Sequence, residues 1–360
     1  MQRMYVHLAI TALCLLADHA AAVATPPGDD PPVTFRSNVS LGRVDAQVVD
    51  GRNHPIRGLR AQDFILRVDG KQQEVRNFQS EKMPIDVVLL LDVSHSMEPH
   101  IRNVANASHQ ALRMLGEEDR IATLVFDRFT RLSMPFRPSR PDAGREMESV
   151  LDRETFEGGT DITRGLLDTA YYVEQKARRD ARRAIIIVTD DQTERSRNEA
   201  AVLRALTRAD SVLSALIAPD ALHTGAGYRR PPSFDDDRAR DAFGELVLRR
   251  YGSYQRGPRT QSAGTSEIAN QSGGDSMAVD QASAFEQTLA RIRERYALYF
   301  YLPEGMQAGE ERSVEVVLTD AARRRYPGAE VRYRRAYLAP NRANDTEDVR
   351  PIRLIHLPLP

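Results

Sequence analysis

Thiols are nearly missing from this sequence. Its single cysteine, Cys14, falls inside an N-terminal apolar stretch, and Leu13 precedes it where a bacterial lipoprotein carries a small residue. Arg3, the apolar run Val6 to Leu16 and the Ala22-Val23-Ala24 triplet read as a secretory signal over residues 1–24. On that reading the mature chain holds no cysteine, which excludes disulfides, thiolate metal sites and cysteine nucleophiles. Long apolar runs are missing as well: none after the signal reaches the ~18 residues of a membrane-spanning helix. Charge of one sign is also absent, since 50 basic residues face 51 acidic ones for a formal net charge of −1. Clusters such as Lys176-Ala177-Arg178-Arg179 and Arg323-Arg324-Arg325 are short and read as solvated faces, so nothing points to nucleic acid. There is no Gly-x-Ser-x-Gly elbow, and the pair Gly158-Gly159 lacks the lysine of a phosphate-binding loop.

What is present is a change of pattern along the chain. Residues 25–34 are rich in proline and read as a linker. Residues 35–82 read as a small β module: Val44, Ala46 and Val48 alternate with their neighbours, and Phe64 to Val68 runs into Asp69-Gly70, a hairpin signal, with Gln73 to Phe78 as the return strand. Over 85–304, strands and helices alternate. Ile85–Leu91 reads as a buried strand, and Ala184–Val188 is continuously apolar, as central parallel strands are. Arg120–Phe126 and Phe129–Met134 suggest an edge hairpin, and Ser211–Ile217 and Tyr296–Leu302 further strands. Helices are expected from Ile101 to Leu115, and over Ala143–Leu151, Asp161–Lys176, Asn198–Arg208, Thr265–Gln271 and Ala284–Arg295. An insertion interrupts the alternation at about 220–258, residues 312–340 read as a β hairpin around Tyr326-Pro327-Gly328, and 341–360 as a loose tail. The fold class expected is α/β: a doubly wound, mostly parallel sheet flanked by small β segments at both ends.

Three segments of the alternating region carry chemistry. Asp92-Val93-Ser94-His95-Ser96 follows the first central strand, Gly158-Gly159-Thr160-Asp161 precedes a helix, and Thr189-Asp190 follows another central strand. An open α/β sheet binds ligands beyond the carboxyl ends of its strands. Asp92, Ser94, Ser96, Thr160 and Asp190 would converge there, all oxygen donors with no His or Cys among them. Two carboxylates in one cleft repel, and a hard divalent cation relieves that cost. Mg²⁺ suits the set, with Ca²⁺ or Mn²⁺ as alternatives, and one coordination position would stay open for a carboxylate from a protein partner.

In this order the residues resemble the metal-ion-dependent adhesion site of von Willebrand factor type A (VWFA) domains. That family shows D-x-S-x-S, a distant Thr and an Asp after a central strand, and the five positions here match. The resemblance implies a Rossmann-like fold over about Ile85 to Leu302, metal-dependent protein binding, and no catalysis. Phe35–Val39, Arg57–Phe64, Val68–Lys71 and Tyr333–Pro340 resemble the flanks of exported VWFA proteins abundant in acidobacteria. Asp191 departs from the family, which often has Gly after its last metal Asp.

The function expected is therefore that of an exported, periplasmic or extracellular, metal-dependent adhesion protein. A cell-envelope scaffold with a structural or absent metal is the alternative. A hydrolase built on Ser96, His95 and Asp92 is disfavoured, because neighbouring side chains at a strand end point apart.

Overall fold

The computed structural model describes residues 41–79, 83–98, 100, 112, 114–138, 149, 152–156, 158–218, 261–278, 283–303, 307 and 309–339. The expected signal, linker, 220–258 insertion and tail lie outside them, as do nearly all of the Ile101 helix and all of Ala143–Leu151 except Ser149.

In chain order, β1 (Leu41–Val49), β2 (Phe64–Val68), β3 (Lys71–Gln73) and β4 (Asn77–Gln79) come first. The alternating region holds β5 (Ile85–Asp92), β6 (Arg120–Phe126), β7 (Thr130–Pro138), α1 (Ile162–Lys176), β8 (Arg182–Thr189), β9 (Gln192–Thr193), α2 (Glu199–Arg208), β10 (Ser211–Ile217), β11 (Gln261–Ser262), α3 (Thr265–Gln271), β12 (Ser276–Ala278) and α4 (Ala284–Arg293). Then follow β13 (Tyr296–Tyr301), β14 (Glu311–Leu318), α5 (Asp320–Arg325), β15 (Glu330–Tyr333) and β16 (Ala336–Leu338).

The main sheet has the order β12-β10-β8-β5-β6-β7. All its neighbours run parallel except the edge strand β7, antiparallel to β6. β5 and β8 are buried at every position, which is why Val87–Leu91 and Ala184–Val188 are apolar throughout, with the polar residues confined to the strand ends. Side chains alternate across the sheet. Val87, Leu89 and Leu91 therefore meet Phe285, Leu289 and Ile292 of α4 on one face. Val88 and Leu90 meet Leu166, Ala170 and Val173 of α1 and Leu206 of α2 on the other. Asp161 starts α1 by accepting the Arg164 N–H at 3.0 Å, and Asn198 starts α2 by accepting that of Ala201 at 3.1 Å. From β5 the chain moves out to β6, and from β8 to β10 on the opposite side. The crevice between the carboxyl ends of β5 and β8 is thus the topological switch point.

The flanking strands form two more sheets, ordered β15-β1-β13-β4 and β16-β14-β2-β3. They share one core, in which Val44, Ala46, Leu298 and Phe300 meet Leu66, Val68, Val316 and Tyr337. The Asp69-Gly70 hairpin forms as expected, with φ of 48° and 75° at its two turn residues. Other expectations are corrected. Gln73–Phe78 is not one strand: β3 ends at Gln73 in one sheet, and β4 begins at Asn77 in the other. The hairpin expected over 312–340 does not form. Thr319 accepts the Ala322 N–H and starts α5, so β14 pairs with β2 and β16 while β15 joins β1. Tyr296–Tyr301, expected in the alternating region, pairs with β1 and β4 instead.

Buried arginines tie this sandwich to the main sheet. Arg182 of β8 donates from Nη1 to the carbonyls of Ile292 (2.9 Å) and Arg293 (2.7 Å), and from Nη2 to that of Arg295 (2.7 Å). A cation there satisfies the orphan carbonyls at the α4 C-terminus. Arg295 in turn donates to the carbonyls of Gly273 (2.6 Å) and Asp45 (3.2 Å). Arg43 of β1 and Arg334 both bind Asp210, at 2.8 and 2.7 Å.

Candidate metal centre

β5 delivers Asp92 to the crevice with its side chain fully buried. Asp92 Oδ1 accepts the Ser94 backbone N–H at 3.0 Å, and Oδ2 accepts the Thr189 hydroxyl at 2.8 Å. A short 3-10 turn, His95–Met97, follows and carries Ser96. The Ser96 hydroxyl donates to Asp190 Oδ2 at 2.6 Å and stands 3.5 Å from the Ser94 hydroxyl. Asp190 Oδ1 accepts the Gln192 N–H at 2.9 Å. Residues 94 positions apart in sequence thus meet through side chains alone.

Thr160 arrives on the loop before α1 and is buried. Gly158 bridges to Ser94 in parallel fashion, the Asp161 N–H donates to the Asp127 carbonyl at 2.9 Å, and the Thr160 carbonyl accepts the Glu194 N–H at 2.9 Å and the Thr193 hydroxyl at 3.2 Å. The loop is clamped between the other two by its backbone. Close approach explains its glycines: a Cβ on Gly158 would lie 2.7 Å from the Asp127 Cβ, and one on Gly159 would run into the Glu194 carboxylate.

Burial, and after it the Asp190 charge, push the Asp92 carboxyl up to about 7, against the opposing hydrogen bonds from Ser94 and Thr189. None of these groups is cationic. Two carboxylates and three hydroxyls without a neutralising side chain fit a hard divalent cation, and a soft or imidazole-seeking metal would find no ligand here. Among the described residues no group of three or more His, Cys, Asp or Glu side chains could hold a metal. The fit rests instead on hydroxyls beside two carboxylates.

The structure therefore brings Asp92, Ser94, Ser96 and Asp190 into direct or one-step contact and holds Thr160 on the adjoining loop. Three contributors escaped the sequence reading. Thr189 binds Asp92, while Asp127 and Glu194 brace the glycine loop; a Thr at the end of an apolar strand carries no signal of its own. Asp191 adopts φ 61°, which accounts for glycine being common there in the family resembled. Its carboxylate turns away from the crevice, accepting the Ser262 hydroxyl at 2.6 Å and the Thr265 N–H at 2.9 Å. His95 is exposed, and the Ser96 hydroxyl donates its hydrogen bond to the Asp190 carboxylate rather than to an imidazole.

A parallel sheet with a carboxylate–hydroxyl cluster at its switch point defines the von Willebrand type A class of α/β domain. The chain belongs to the family of VWA domain containing CoxE-like proteins, whose model matches residues 24–238, more than half its length. No curated protein matches the sequence. Among solved structures it is similar to an aerotolerance-related membrane protein from Bacteroides fragilis, at 18% identity, with 58% of this chain and 98% of that one covered and a TM-score of 0.41. The conserved hypothetical protein BatB from Bacteroides thetaiotaomicron gives the same figures: 18%, 58%, 98% and 0.41. Proximal thread matrix protein 1 from the mussel byssus is 13% identical, with 66% and 51% covered and a TM-score of 0.41.

Proposed function

We propose that this chain is an exported, non-enzymatic binding protein. Asp92, Ser94, Ser96, Thr160 and Asp190 would hold a divalent cation, Mg²⁺ first with Ca²⁺ or Mn²⁺ as alternatives. A protein partner would be captured through an acidic residue that completes the cation's shell. The Ser96–Asp190 contact beside the buried Asp92 carries this reading, because it gathers oxygen donors and negative charge to which, among the described residues, no cationic side chain is paired. When bound, the cation supplies positive charge and an open position for a carboxylate. The chain's own residues fix the donors: Thr189 and the Ser94 N–H orient Asp92, and the Gln192 N–H orients Asp190. Export is supported by the pattern of residues 1–24; among the described residues no helix is long and apolar enough to cross a membrane.

Calorimetric titration of the mature protein with Mg²⁺, Ca²⁺ and Mn²⁺, beside Asp92→Ala with Ser96→Ala, tests this. Saturable binding lost in the variant is expected. No binding by the unaltered protein overturns the reading and leaves the scaffold alternative, in which partner contacts fall to the sandwich.

A further inference from the structure

Phe129 is 57% exposed, more than any other large apolar side chain among the described residues. A lone exposed apolar residue is ordinary. The backbone of this one is tied, through Asp127, to the loop that carries Thr160. It sits on the turn between β6 and β7, where Asp127 Oδ1 accepts its N–H at 2.8 Å and the Asp127 N–H donates to its carbonyl at 3.2 Å. The same Asp127 accepts the Asp161 N–H through its carbonyl and abuts Gly158, which bridges to Ser94. Arg131 fixes Asp127 from behind at 2.9 Å and reaches Glu154 at 2.8 Å. One arginine faces the ring and another precedes it in the chain. The Arg164 guanidinium stands 5.8 Å from its centroid, with Nε 3.6 Å from Asp168. Arg128 binds Glu194 at 3.1 Å, and the Glu194 N–H donates to the Thr160 carbonyl. The side chains of Arg128 and Arg164 are 54% and 57% exposed.

We propose that Phe129, Arg128 and Arg164 form the part of the rim that reads the partner beside its acidic residue. This deepens, and rests on, the cation-dependent reading of the site. The occupant is a protein segment in which an Asp or Glu lies next to a large apolar side chain. The carboxylate would go to the metal centre and the apolar group to the Phe129 ring. Rigid aromatics and arginines are the residues that dominate protein interfaces, because they bury much surface at little conformational cost. The arginines already pair with Glu194 and Asp168, so they frame the ring while it reads the partner's apolar group, and Asp127 ties the ring's backbone to the loop carrying Thr160.

The test uses fluorescein-labelled Gly/Ser decapeptides carrying one Glu, either alone or with Leu one or two positions to either side. Anisotropy is read in saturating Mg²⁺ for the mature protein, Phe129→Ser, Phe129→Tyr and Asp92→Ala, and Mg²⁺ affinity is measured by calorimetry in each. The Leu-flanked peptides should bind the unaltered protein at least about tenfold tighter than the Glu-only peptide. Phe129→Ser should erase that preference with Mg²⁺ affinity unchanged, Phe129→Tyr should keep it, and Asp92→Ala should bind no peptide. Equal affinities, a preference that survives in Phe129→Ser, or no peptide binding by a protein that binds Mg²⁺ would overturn the inference alone. Failure to bind Mg²⁺ would overturn the underlying reading, and the inference with it.

Discussion

The Thr189 hydroxyl donates to Asp92 Oδ2 at 2.8 Å and accepts the Asp191 backbone N–H at 3.2 Å. One buried side chain thus joins the carboxylate of β5 to the loop that carries Asp190. Groups that orient a metal ligand typically change affinity about 10–100-fold when lost. Thr189→Val, nearly isosteric, should weaken Mg²⁺ binding by about that factor, and Thr189→Ser should keep it. Calorimetry on both variants decides; equal affinity in the Val variant would remove Thr189 from the site.

Gly158→Ala should destabilise the fold. Its Cβ would press on the Asp127 Cβ, which lies close to the backbone and has little freedom to move aside. Overpacking of this kind costs about 1–3 kcal/mol. Urea unfolding measures the loss, and Mg²⁺ affinity should fall with it because the loop carries Thr160.

Asp86 gives a pH dependence that is independent of the metal centre. Burial raises its carboxyl, but hydrogen bonds from Arg120 and Arg178 outweigh that and hold it below the ordinary range. A carboxyl depressed in the folded state stabilises fully above its unfolded value of about 3.9, and the contribution is lost as pH falls through the folded value. Asp86→Asn should therefore be less stable at pH 7, by about 3–5 kcal/mol if it behaves as a broken buried pair. The difference from the unaltered protein should shrink below pH 4. A difference constant from pH 7 to pH 2 in thermal unfolding would refute this.

Arg182→Met would leave the carbonyls of Ile292, Arg293 and Arg295 without their donor. Unsatisfied buried groups cost about 1–3 kcal/mol each. Because Arg182 and Arg295 link main sheet and sandwich, both should unfold in one transition in the unaltered protein, at a lower midpoint in the variant. Calorimetric and circular-dichroism transitions that separate would show the two parts to be independent.

The α/β region was legible because its signals are local. β5, β8, β10, α1 and α2 follow from short apolar runs, helical spacing and cap residues such as Asp161 and Asn198. The convergence of Asp92, Ser94, Ser96 and Asp190 was legible because these residues cluster in short motifs at strand ends. The flanking β segments at both ends were legible as strands, but their registers were not, since Leu41 pairs with Tyr301 and Val314 with Val68, and no local period encodes a register with a partner more than two hundred residues away. Glu74–Arg76 looks like strand yet carries the chain between sheets, and only the pairing shows it. Asp191 was noticed as a departure, but its turn away from the crevice depends on Ser262 and Thr265, which the sequence places far off.

Both neighbours of β1, β13 and β15, come from residues 296–333. A ribosome releases the chain from its N-terminus. Leu41–Val49 is therefore synthesised long before either edge it will bond to exists, and until then it is an unpaired strand of the kind that invites wrong pairing. The alternating region can assemble early, whereas the sandwich closes only when the last hundred residues have emerged. Loss of the C-terminal strands by truncation or proteolysis would release the N-terminal strand as well, so damage near one end of this molecule is felt at the other.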